Sequence, residues 1–144
     1  MNKTNEILER IYKNVKMGSE SITTLLPKVK DDRMISDLTT QLTGYEDIAC
    51  RASNMLRQSG VPAEEDGFMK KFPAKAGIMM NTAIDATSSH IAEMMIQGSN
   101  MGIVDMTKYL NESKRCNVSK EAVDLANEVV TFEENNIQRL KAYL

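Results

Sequence analysis

The chain has 144 residues, 42% of them hydrophobic, with 18 Lys and Arg against 20 Asp and Glu. That length suits one domain, residues 1–144, with room for a core that needs no disulfide or metal staple. Near-balanced charge without a basic patch argues against nucleic-acid binding, and no apolar run approaches the roughly 20 residues of a membrane span.

The N-terminal stretch Met1-Asn2-Lys3-Thr4-Asn5-Glu6 lacks the apolar core of a signal peptide. Cys50 and Cys116 have no metal-ligand spacing and fit reduced thiols. The expectation is a cytoplasmic protein. Only three prolines and seven glycines punctuate the chain, methionine is frequent at 11, and tryptophan is absent. These features predict an all-α fold packed with flexible aliphatic side chains.

The first predicted helix starts after an Asn2 or Thr4 cap and runs toward Leu26. Its inward stripe is Leu8, Ile11, Val15, Gly18, Ile22 and Leu25, the alternating three–four spacing of a bundle seam. Pro27 kinks or ends it. The second begins at Asp31 or Asp32 and buries Met34, Ile35, Leu38, Leu42, Tyr45, Ala49, Ala52 and Leu56. Ser59-Gly60 stops it. A short link makes these two helices antiparallel neighbours.

From Val61 to about Lys75 the helical pattern lapses, apart from a possible turn at Phe68–Phe72. A connection this long can run the length of the bundle, which would make the third helix parallel to the second. The third helix is expected to begin near Ala76, with Met80, Ala83, Ile84, Thr87, Ser88, Ile91, Met94, Met95 and Gly98 inward. Gly98 and Gly102 predict a bend or a close helix approach, with helix continuing to Leu110. Asn111–Val118 reads as a polar turn. Ser119 then caps a last helix running to Leu144.

On that last helix Glu133 lies at the centre of the most apolar face, within about 60° of Ala122, Ala126, Val129, Val130, Ile137, Leu140 and Leu144. A buried carboxylate must be protonated, hydrogen-bonded or bound to a cation. The other helices also turn polar residues inward near their midpoints, and midpoints meet at one level. The expected layer is Ser19, Gln41, Tyr45, Thr87 or Ser88, Glu133 and Asn136. It reads first as a hydrogen-bonded network that fixes helix register, and second as a metal or small-molecule site at mid-bundle.

Two helical hairpins, a long middle connection and a mid-bundle carboxylate make the chain resemble the ferritin-like superfamily. The stretches Ala92–Gly102 and Thr131–Ile137 look like those of uncharacterised bacterial members. The resemblance implies a ferritin-like four-helix bundle of two antiparallel pairs. Active members take a Glu from each of two helices and Glu-x-x-His from the other two. Only Glu133 matches; Asn136 stands where the histidine would be, and Gly18 and Ser19 occupy the first helix's inward centre. The expectation is a non-enzymatic binding or structural module with no cofactor, self-associating, with a dimer as the simplest form. The alternatives are a metal-binding oxidoreductase or iron-storage protein using a single metal ion at Glu133, and a carrier of a small apolar ligand. His90-x-x-Glu93 reads as a surface or interface pair. Met79-Met80 and Met94-Met95 read as core rather than copper ligands.

Overall fold

The computed structural model describes residues 2–61 and 86–144. Among these residues the chain is all-helical, with the four long helices of an all-α bundle: α1 (Lys3–Leu25), α2 (Asp32–Gln58), α3 (Ser88–Ser113) and α4 (Lys120–Leu140). The expected turn at Phe68–Phe72, the helix start near Ala76 and the inward Met80, Ala83 and Ile84 lie outside the described residues.

Each helix begins where a short polar side chain can take an orphan backbone N–H. Asn2 accepts from Asn5 N at 2.8 Å, and Asp31 accepts from Arg33 N and Met34 N. Thr87 accepts from His90 N, and Ser119 from Ala122 N. The ends are equally local. Pro27 cannot continue an α-helix, and α1 passes into a 3-10 turn at Leu26–Lys28. After α2, Gly60 adopts φ +81°, so that Gly60 N bonds to Arg57 O and Val61 N to Leu56 O. That pair of bonds satisfies two carbonyls of the last turn and needs the left-handed conformation glycine tolerates.

Contacts along the chain fix the helix directions. Ser59, just past α2, donates to Asn5 near the start of α1 at 3.0 Å. Arg10 of α1 pairs with Asp105 late in α3 at 2.7 Å. Arg51 of α2 pairs with Glu128 early in α4 at 2.6 Å. Ser119 N, at the start of α4, donates to Thr4 at 3.0 Å. So α1 and α4 run one way, α2 and α3 the other. The closest pairs are α1–α2 and α3–α4.

The apolar stripes meet in one core. Ile11, Val15, Ile22, Met34, Leu38, Leu56, Ile91, Met106, Val129 and Leu140 are almost fully buried. Two departures from expectation concern α3 and α4. The α3 helix runs straight through both glycines: Gly98 is exposed rather than inward, and Gly102 is the site of close approach, where an added Cβ would lie 2.9 Å from Asn14 Oδ1. The α-helix of α4 stops at Leu140 and tightens into a 3-10 turn at Lys141–Tyr143. Leu144 therefore leaves the stripe and is exposed. Tyr143 instead donates to Asp37 at 2.5 Å, with the Arg33 guanidinium 5.7 Å from its ring.

Candidate functional site: a buried polar layer

The described residues contain six buried polar side chains: Asn5, Ser19, Gln41, Ser99, Glu133 and Asn136. Asn5 sits at one bundle end with Ser59. The others lie along the helix midsections, and Ser99, Glu133 and Asn136 reach the buried Tyr45 hydroxyl. Gln41 and Tyr45 are one turn apart on α2, and Glu133 and Asn136 are one turn apart on α4, so each pair shows one face. Ser99 comes from α3 and Ser19 from α1.

Aromatic packing against glycine holds the layer. A Cβ on Gly18 would lie 2.5 Å from the Tyr45 ring, and one on Gly44 would overlap the Phe132 ring. Both rings occupy space that any other residue would fill. They meet edge to face, with centroids 4.9 Å apart and planes at 88°, a favourable quadrupolar geometry.

Thr87 and Ser88 are not part of this group. The backbone at Thr87 is extended, with φ −64° and ψ 148°, and its hydroxyl caps α3. That puts both residues at the helix start, where Thr87 is exposed and Ser88 half-buried. The middle of α3 lies about three turns further on, and Ser99 takes the inward position there. A signal for Ser99 exists in the sequence. It continues the stripe Ile91, Met95, Gly102 and Met106, once Thr87 is recognised as the cap and not as mid-helix.

Glu133 is 2% exposed. Burial pushes its carboxyl up to about 7; the hydroxyls of Ser99 and Tyr45 pull the other way. Ser99 Oγ and Glu133 Oε2 nevertheless close no hydrogen bond of ordinary geometry, so the pull is that of a nearby dipole rather than of a formed bond. Burial, then the charge on Glu133, raises the Tyr45 phenol well above its ordinary value. At neutral pH the layer therefore holds a neutral phenol and a carboxyl near the midpoint of its titration.

Five atoms of the layer find no hydrogen-bond partner among the described residues: Gln41 Oε1 and Nε2, Ser99 Oγ, Glu133 Oε2 and Asn136 Nδ2. A buried polar group left unsatisfied costs about 1–3 kcal/mol. Together they rival the entire stability of an ordinary domain, about 5–15 kcal/mol. The layer thus demands partners beyond the side chains' present bonds.

As a metal centre the donor set is poor. No group of three or more His, Cys, Asp or Glu residues able to hold an ion occurs among the described residues. His90 lies in the first turn of α3, 4.0 Å from Glu93. Met94 and Met95 are buried in the core, while Cys50 and Cys116 are both exposed.

Comparison with protein-family models, curated proteins and solved structures finds no match for this chain. Functional inference therefore rests on the layer itself. No helix among the described residues is long and apolar enough to cross a membrane.

Proposed function

We propose that this chain is a non-catalytic binding or structural module of ferritin-like architecture. In this reading a buried polar layer stands at the level where that family holds its metal ions. Parallel α2 and α3, each packed antiparallel to its hairpin partner, are compatible with that topology. The observation that carries the reading is the donor set. Glu133 is the one carboxylate among the buried polar side chains of the described residues, and the polar groups around it and Tyr45 are hydroxyls and an amide. The described residues do not fit a pair of metal ions, which needs several carboxylates and imidazoles. Neutral oxygens with one carboxylate make a weak site for iron.

The test is direct. Protein purified without chelator and challenged aerobically with ferrous iron should bind no stoichiometric iron and consume no oxygen. Stoichiometric uptake with oxygen consumption, abolished in Glu133→Gln, would replace this reading with a metal-dependent oxidoreductase.

A further inference from the structure

We propose that the mid-bundle layer is an internal hydration site, in which a small cluster of water molecules bridges Gln41, Ser99, Glu133 and Asn136 across three helices. This rests on the reading of the layer as the polar centre of the bundle, and deepens it by naming what the layer binds.

The chemistry of the unpartnered atoms selects the guest. Among the described residues Gln41 lacks a partner at both ends of its amide, so turning the amide over satisfies nothing. Its N–H groups need an acceptor and its oxygen needs a donor. Asn136 Nδ2 and Ser99 Oγ bring further donors, and Glu133 Oε2 brings an acceptor. A bare cation would suit Glu133 Oε2 and Gln41 Oε1 but would face the amide N–H groups of Gln41 and Asn136. An anion would face Glu133. An apolar guest would satisfy none of them. Water accepts from the amides and donates to Glu133 and Gln41 at once, and bridging otherwise unsatisfied buried groups is the usual role of internal water.

Direct pairing of the side chains is the competing arrangement. Ser99, Glu133 and Asn136 already lie within reach of the Tyr45 hydroxyl, so a dry layer would require Gln41, unpartnered at both ends of its amide among the described residues, to swing onto Asn136. Both are almost fully buried, beside a Tyr45–Phe132 pair that Gly18 and Gly44 hold in tight contact.

The experiment uses the full chain, labelled with nitrogen-15, and water as the probe. Cross-relaxation from water to the Gln41 Nε2 and Asn136 Nδ2 protons should carry the sign of water held longer than molecular tumbling. Oxygen-17 relaxation dispersion should show a long-lived component that is reduced in Gln41→Leu/Asn136→Leu. Protected amide protons without water cross-peaks would overturn the proposal in favour of a dry network. So would dispersion unchanged in a folded double variant. If that variant fails to fold, the wild-type cross-peaks decide. These outcomes are separate from iron uptake, which tests the functional reading alone.

Discussion

Glu128 and Glu133 lie little more than a turn apart on α4, and their surroundings oppose one another. Glu128 is half-exposed and takes both ends of the Arg51 guanidinium at 2.6 and 2.9 Å. Arg51 holds its carboxyl below the ordinary value. Glu133 is buried and no cation among the described residues reaches it, so its carboxyl is pushed up to about 7. A rotation of about 140° around the helix separates the two side chains. Position on the helix, not residue type, decides whether the same carboxylic acid stabilises the fold as an anion or as a neutral acid.

The largest test of this contrast is pH. Glu133 binds its proton more tightly in the folded chain than in the unfolded one. Its contribution is fully present below 4.5 and is lost as pH rises toward about 7. Above that the loss levels off, at roughly 3 kcal/mol for a shift of this size. Denaturant melts at about pH 4 and about pH 8 should show that fall in the wild type relative to Glu133→Gln. A pH-independent difference between the two proteins would mean that water solvates the carboxyl freely. The sign for Glu128 is opposite: its contribution is present above the unfolded value and is lost as pH falls.

Gly18→Ala comes next. The new methyl group meets the buried Tyr45 ring, and overpacking of this kind costs about 1–3 kcal/mol. Thermal melts would measure the cost, and a neutral result would mean that the ring can retreat. Ser99→Ala sharpens the contrast without touching Glu133. It removes a hydroxyl that favours the charged carboxyl, so the Glu133 pKa read by carbon-13 NMR should rise further. A fall would show that the hydroxyl stabilises the neutral acid instead. The smallest effect belongs to Arg51→Ala, about 0.2–1 kcal/mol for an exposed pair. That loss should shrink at high salt; a loss that persists would place the pair in a drier setting than its exposure indicates.

Glu133, Gln41, Tyr45 and Asn136 were legible in the sequence because each interrupts an apolar stripe of known period, so a polar residue there is conspicuous. Caps at Asp31 and Ser119 were legible for a similar reason: few residues suit those positions. The middle of α3 was not. Its periodicity is blurred by apolar residues on more than one side, including the exposed Met101 and Val104, and the cap at Thr87 was read as mid-helix. One misplaced boundary moved the polar residue of α3 from Ser99 to Thr87 and Ser88. The Gly44–Phe132 contact also escaped, because a glycine that accommodates a ring on another helix leaves no periodic trace.

The layer draws Ser19, Gln41 and Tyr45 from the first hairpin and Ser99, Glu133 and Asn136 from the second. Neither hairpin can assemble it alone. Each hairpin closes over a shorter stretch of chain than their union does, so the layer is expected to form late, as the two hairpins dock. Substitutions in the layer should therefore accelerate unfolding more than they slow folding. The polar centre of this bundle would then act as a latch on the native state rather than as a seed for its formation.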